Sequence, residues 1–137
     1  MEYRDLYIFP AIFSYADDGI SIEFPDLPGA FTCGQTEEEA IYMAKDCLEL
    51  HLYGLEEDNE HIPQASQIKD IKLEDNQAIV LIKVNMKPIR HEMMNKAVKK
   101  TLTIPKWLND MANKEHINFS AILKSALIDE LELNKHK

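Results

Sequence analysis

The sequence predicts an α+β protein built from two modules: an antiparallel sheet crossed by one long helix, then a strand followed by two short helices. Three observations predict it. Apolar and polar residues alternate at strand spacing near the start of the chain. Apolar residues recur at helical spacing from Ile41 to Leu55. Charge is unevenly distributed along the chain. Residues 1–90 hold 7 Lys and Arg against 18 Asp and Glu, a net charge of −11, whereas residues 91–137 hold 8 Lys and Arg against 6 Asp and Glu, a net charge of +2. We therefore expect modules with different partners.

Composition excludes several classes of protein. The 137 residues are 45% hydrophobic and 28% charged, a globular balance. No apolar run approaches the roughly 18–20 residues of a membrane span, and the first residues lack a secretory signal. Cys33 and Cys47 lie 14 positions apart without a CxxC motif, so neither a disulfide framework nor a zinc ribbon is expected. We expect a cytoplasmic protein with no membrane contact.

The first two strands are predicted to form a hairpin. Leu6–Tyr15 and Ile20–Phe24 are rich in Ile, Phe and Tyr, and the segment Ala-Asp-Asp-Gly between them ends in the glycine that a tight turn needs. Pro10 has no N–H to donate, which predicts an edge or a bulge at that point. After a Pro-Asp-Leu-Pro-Gly break, Ala30–Gly34 favours a short third strand.

One long helix and further strands follow. Thr36 is a good N-cap, and the next three residues are Glu, with Glu39 placed to complete a capping box. The apolar spacing then predicts a helix of about five turns that ends near Gly54 or shortly after it. Ala78–Met86 is almost continuously apolar, which predicts a strand covered on both faces, and Ile68–Leu73 favours a shorter strand.

Residues 88–97 contain a proline, mixed charge and no period, which predicts a linker between a front domain (1–87) and a back domain (98–137). In the back domain Val98–Ile104 alternates as a strand would. A short helix anchored by Trp107 follows, and Asn118 caps a second helix. Forty residues are too few for a monomeric core, and one strand has no partner. We therefore expect a two-fold dimer in which two copies of the strand pair antiparallel.

The polar side of this ribbon is the predicted DNA-binding surface. Lys99, Thr101 and Thr103 share that side, and a two-stranded ribbon fits the major groove, where Lys and Thr reach base edges or thymine methyls. The start of the second helix offers backbone N–H groups to a phosphate. An ordinary solvated strand face is the plain alternative. The candidate DNA-binding residues are Lys99, Lys100, Thr101, Thr103, Asn118, Phe119 and Ser120.

Two resemblances cover nearly the whole chain. Residues 99–105 (Lys-Lys-Thr-Leu-Thr-Ile-Pro) and 118–123 (Asn-Phe-Ser-Ala-Ile-Leu) resemble the ribbon-helix-helix family of bacterial DNA-binding proteins. Residues 25–29 (Pro-Asp-Leu-Pro-Gly) and 34–40 (Gly-Gln-Thr-Glu-Glu-Glu-Ala) resemble HicB-type antitoxins, in which such a loop and such a helix entry lie on a reduced ribonuclease H-like fold.

The resemblance implies an antitoxin and not an enzyme. Its front domain would block a HicA-type toxin, a small RNA-cleaving protein, and its back domain would bind operator DNA as a homodimer, with a higher oligomer left open. Because a toxin that grips RNA presents positive surface, the front part of the chain, at −11 over residues 1–90, would be steered to it. The acidic residues expected to face the toxin are Asp17, Asp18, Glu23 and Asp26. The resemblance implies neither a metal nor a cofactor.

Two alternatives stay open. A ribonuclease H-type nuclease needs clustered carboxylates around two metal ions about 4 Å apart. Here the first strand has no acidic residue, Glu23 and Asp26 straddle a strand end, and the 5 histidines lack metal-ligand spacing. The other alternative is a stand-alone ribbon-helix-helix repressor whose front domain senses a small ligand.

Overall fold

The computed structural model describes residues 2–133, and the chain separates into two compact units between Ala97 and Val98. The front unit contains β1 (Leu6–Ala16), β2 (Gly19–Glu23), β3 (Phe31–Gly34), α1 (Glu37–Glu57), β4 (Gln77–Asn85) and α2 (Met86–Asn95), with a 3-10 turn at Ile68–Asp70. The back unit contains α3 (Lys106–Lys114) and α4 (Phe119–Glu130). No helix among residues 2–133 combines the length and the apolar character needed to cross a membrane.

The front sheet is antiparallel with strand order β3-β2-β1-β4, which places β1 inside the sheet. In the central strand Phe13 lies opposite Ile22 of β2 and Ala78 of β4. Gly19 has φ 137°, a conformation that residues with a side chain rarely adopt, and it closes the β1–β2 turn. The predicted hairpin and short third strand are both present.

Helix α1 covers one face of this sheet. Thr36 is the N-cap, and its hydroxyl accepts a hydrogen bond from the Glu39 N–H at 3.1 Å, as the sequence predicts. Four α1 residues spaced four apart are fully buried: Ala40, Ala44, Leu48 and Leu52. They pack against buried sheet residues that include Phe9, Phe13, Ile22 and Val84. The core of the front unit therefore lies between α1 and the sheet.

Pro10 lies in β1 opposite Leu81 of β4 and has no partner in β2, so this part of the strand is an edge, as predicted. The Tyr15 N–H donates towards β4, to the Asn76 carbonyl at 2.9 Å. Because N–H directions alternate along an antiparallel strand, the Pro10 nitrogen points to the opposite side, towards β2. Pairing between β1 and β2 begins only at Ile12, so the missing N–H removes no ladder bond.

Two strand predictions are wrong. Ile68–Leu73 contains the 3-10 turn and no strand. The fourth strand is covered on one face only, since Ile82 and Val84 are buried whereas Leu81 is 52% exposed. The physical reason is the strand order, because β4 is an edge strand and α1 covers a single face of the sheet.

A helix, α2, occupies most of the segment that the sequence predicts as a linker (88–97). The Asn85 side chain caps this helix by accepting from the Lys87 N–H at 3.1 Å. Pro88 lies in the first turn, where a backbone N–H has no intrahelical partner to lose. Arg90 then holds α2 to the sheet and to α1 through Asp5 at 2.6 Å and Glu56 at 2.8 Å. The front unit therefore extends beyond residue 87 to Ala97.

In the back unit both helices are present, and Asn118 caps α4 by accepting from the Ala121 N–H at 3.0 Å. The predicted strand at Val98–Ile104 carries no regular secondary structure in this single chain. A strand requires a pairing partner, and no strand of the described residues pairs with this segment. The ribbon therefore stays a prediction about two copies of the chain.

Candidate functional site

Acidic side chains from separate segments meet at one end of the front sheet. The Gln35 side chain donates to the Asp18 carbonyl at 3.3 Å, and the Tyr15 hydroxyl donates to the Glu37 carboxylate at 2.8 Å. That bond to Glu37, aided by burial and by the carboxylate charge, raises the pKa of the Tyr15 phenol. The β1–β2 turn and the start of α1 are therefore neighbours.

The segment before β4 reaches the same end of the sheet. The Tyr15 N–H donates to the Asn76 carbonyl at 2.9 Å, and the Asn76 side-chain Nδ2 donates to the Tyr15 carbonyl at 3.1 Å. Seven exposed carboxylates gather here, and we call them the acidic pole: Asp17, Asp18, Glu37, Glu38, Glu39, Glu74 and Asp75. Sequence reasoning named only Asp17 and Asp18 of this group as toxin-facing candidates, and the last two join the group only because the β1–β4 pairing brings them next to the turn.

The four predicted toxin-facing residues do not form one cluster. Asp17 and Asp18 belong to the acidic pole, whereas Glu23 lies at the far end of β2. Asp26 is half-buried, and its carboxylate accepts from both the backbone N–H (2.9 Å) and the hydroxyl of Ser66. Those bonds tie the loop after β2 to the segment after α1, so Asp26 has a structural partner already.

The face of the sheet opposite α1, which we call the open face, is rich in apolar side chains. It consists of the even-numbered residues of β1 and the odd-numbered residues of β2, β3 and β4, because paired residues share a face. Ile8 and Leu81 are 49% and 52% exposed, and Phe31 is 72% exposed. Glu23 and Lys83 are its charged members.

A shallow cavity of about 350 Å³ lies on this open face, lined by Ser14, Ser21, Glu23 and Phe31 among others. A second groove of about 410 Å³ runs between β3 and α1, where Asp46, Cys47 and His51 join apolar neighbours. Burial, and to a lesser extent Asp46, raises the pKa of the Cys47 thiol, which keeps it in the weakly reactive thiol form. His51 is half-buried in the same wall.

Neither cavity gathers a catalytic metal cluster. Across residues 2–133, no group of three or more His, Cys, Asp or Glu side chains is arranged to hold a metal ion. Glu23 points to the open face, whereas Asp26 is bonded to Ser66, so the pair considered for a nuclease is divided.

All four predicted DNA-binding residues of the ribbon segment are exposed: Lys99, Lys100, Thr101 and Thr103. Their apolar neighbours are exposed as well, with Val98 at 88% and Leu102 at 58%. At the start of α4, the Asn118 carboxamide is used as the cap, and Phe119 and Ser120 are exposed.

No residue among 98–133 is buried. Large apolar side chains are exposed on both helices of the back unit, including Trp107 at 64%, Met111 at 60% and Ile122 at 57%. By contrast, the front unit buries a continuous core. The back unit as a single copy therefore has no hydrophobic core of its own.

Comparison with known proteins places these features in a family. The model of the HicB-like antitoxin of bacterial toxin-antitoxin systems matches residues 9–127. An uncharacterized 14.9 kDa protein of Haemophilus phage HP1 is 30% identical over 98 residues, which is 72% of this chain and 73% of that protein. Antitoxin HicB 2 of Photorhabdus laumondii is 40% identical over 58 residues, 42% of each chain.

A solved structure shares this fold. A chain of a toxin-antitoxin complex from Streptococcus pneumoniae superposes with a TM-score of 0.60 at 28% identity, covering 91% of this chain and 99% of that one. The family model spans both units, from within β1 to within α4. The chain belongs to the HicB-like antitoxin family.

Proposed function

We propose that this protein is a non-enzymatic antitoxin that neutralises a HicA-type RNA-cleaving toxin through its front unit. Its back unit forms a ribbon-helix-helix dimer that binds operator DNA and represses the operon. Membership of the antitoxin family supports the first part. One observation carries the second: a folded acidic unit is joined to a locally basic unit that buries none of its described side chains. The reduced ribonuclease H-like description of the front sheet remains part of this proposal.

The exposed apolar side chains of the back unit support dimerisation. Full burial of an exposed Leu or Ile side chain is worth roughly 1.5–3 kcal/mol, and Leu102 and Ile122 are each more than half exposed in the single copy. A second copy of Val98–Ile104 supplies the missing strand partner, and the helices of both copies then cover the apolar side of the ribbon. Association is the economical way to bury this surface within a unit of forty residues.

The dimer creates the DNA-binding surface. Pairing two strands brings Lys99, Thr101 and Thr103 together twice, on the side away from the helices. From Asn95 to Ser125, six lysines stand against two acidic residues, so the segment is attractive to phosphate. The uncapped N–H groups at the start of α4 add a phosphate contact.

The front unit has the electrostatics of an inhibitor of an RNA-binding protein. Its acidic pole and its net charge of −11 attract a positive surface and compete with RNA for it. Asp17 and Asp18 are the predicted toxin contacts within the pole, with Glu23 and Asp26 as further candidates.

Two measurements on the full-length chain test the proposal. Co-expression with the product of the adjacent small open reading frame should restore growth that this product alone arrests. The variant carrying Lys99→Ala and Thr101→Ala should lose operator binding while still neutralising that protein. A chain that binds operator but ignores the neighbouring product would instead support the ligand-sensing repressor.

A further inference from the structure

We propose that the toxin docks on the open face of the front sheet, at its β1–β4 side. This inference rests on the proposed function and names the surface that performs it.

The open face is more apolar than is usual for a solvent-exposed face of a sheet. Antiparallel sheets with one covered face usually present polar residues on the other. Here Leu6 and Ile8 of β1 are each 49% exposed, and Leu81 of β4 is 52% exposed. Ile8 and Leu81 are diagonal neighbours, because Ile8 pairs with Lys83 and Pro10 pairs with Leu81. Pro10 and Ile12 are buried, so Leu6, Ile8 and Leu81 form the exposed apolar patch across the two paired strands. Contiguous exposed apolar area of this kind marks interaction surfaces.

The patch runs to the free edge of the sheet. β4 is nine residues long, pairs with β1 on one side and has no strand on the other among the described residues. Long apolar edge strands are normally protected by charge, proline or a covering element. Lys83 is the single charged residue in Gln77–Asn85, so a protein that covers the open face would also shield this edge.

Net charge indicates which kind of protein covers the open face. Residues 1–97 hold 8 Lys and Arg against 19 Asp and Glu, so a second front unit would bring −11 against −11. The acidic pole borders the same face, because Gln77 bonds to Ser14 at 2.9 Å where both strands meet the pole. A basic partner gains from both features: its positive surface meets the pole while its apolar residues cover Ile8 and Leu81. A toxin that grips RNA has this character.

The test uses substitutions matched in size and exposure. Ile8→Glu and Leu81→Glu introduce a carboxylate into the patch, and Ile41→Glu does so on α1, where Ile41 is 48% exposed on the other side of the unit. Binding of the purified full-length chain to the purified product of the adjacent small open reading frame is measured by calorimetry. We expect both open-face variants to bind roughly tenfold more weakly or worse, and Ile41→Glu to bind as the parent does.

The other possible results of this experiment would contradict either the docking surface or the proposed function. Parent-like binding by Ile8→Glu and Leu81→Glu would overturn the proposal, and so would weakening by Ile41→Glu alone. Unchanged toxin binding with a smaller oligomer in light scattering would also overturn it, because the face would then join two antitoxin copies. Failure of the parent chain to bind would refute the proposed function itself. Should a Glu variant unfold, Leu81→Thr keeps strand propensity and removes apolar area, and it must also weaken binding.

Discussion

Arg90 of α2 forms a two-point ion pair with Glu56 of α1: its Nε donates to one carboxylate oxygen at 2.8 Å, and its Nη2 donates to the other at 3.0 Å. The Glu56 side chain is only 9% exposed. The same guanidinium also reaches Asp5 at 2.6 Å. These bonds, that to Glu56 above all, raise the pKa of Arg90 above its already high ordinary value, so the cation persists at every relevant pH.

Arg90→Gln should therefore destabilise the front unit. It leaves the nearly buried Glu56 carboxylate without its ionic partner, which costs about 2 kcal/mol in the free energy of unfolding. Urea unfolding followed by far-ultraviolet circular dichroism measures this change. Lys106→Ala is the control, since Lys106 pairs with Asp110 at 2.8 Å on an exposed helix surface and its loss should cost at most about 0.5 kcal/mol. Equal effects of both variants would contradict the role given to Arg90.

Two glycines should respond oppositely to the same substitution. A Cβ added to Gly34 would lie 2.7 Å from the Ala40 nitrogen and 2.8 Å from the Ala40 Cα, both backbone atoms of α1. Gly34→Ala should therefore cost about 2–3 kcal/mol, because strand and helix must separate. Gly54 lies inside α1 with open space around the added Cβ, so Gly54→Ala should stabilise by about 0.5–1 kcal/mol. Thermal unfolding of both variants measures the contrast, and a stable Gly34→Ala would refute the close approach.

These elements show where sequence reasoning was sufficient. The β1–β2 hairpin and α1 follow from local signals, namely a turn glycine, an N-cap at Thr36 and a clear helical period. The family motif contains Gly34, and the structure supplies the reason, since no side chain fits between β3 and α1. Helix α2 was not predicted, because its local sequence signals are weak and tertiary contacts hold it in place. These contacts are made by Arg90, whose partners lie 34 and 85 positions away in the sequence.

Lys99 and Thr101 are exposed, but this does not test the predicted alternation, because Val98 and Leu102 on the other side of the predicted strand are exposed as well. The exposed apolar character of the open face could not be predicted, because it depends on which face of the sheet α1 covers. The continuous apolar sequence of β4 predicted burial on both faces instead. Glu74 and Asp75 join the acidic pole only through strand pairing.

The two cysteines should differ in reactivity. Cys33 is exposed on β3, whereas Cys47 is half-buried and burial raises its pKa. At pH 8 a dithionitrobenzoate reagent should label Cys33 first and Cys47 roughly tenfold more slowly. Because a raised pKa lowers the thiolate fraction, the slow rate should climb as pH increases above 9. Cys33→Ser should remove the fast phase alone, and a fast phase that survives this change would contradict the assignment.

Dimerisation and DNA contact by the back unit should be separable by substitution. Leu102 is apolar and 58% exposed in the single chain, whereas Lys99 lies on the opposite side of the predicted strand. Leu102→Glu places two carboxylates inside the proposed dimer, so we expect a monomer in light scattering and no operator binding. Lys99→Ala should remain dimeric and bind operator roughly tenfold more weakly or worse at fixed salt, because each dimer loses two positive contacts. Lys124→Ala, on α4 away from the predicted ribbon, is the control for charge alone and should have a smaller effect. A Leu102→Glu chain that stays dimeric and binds operator would show that this segment does not form the ribbon.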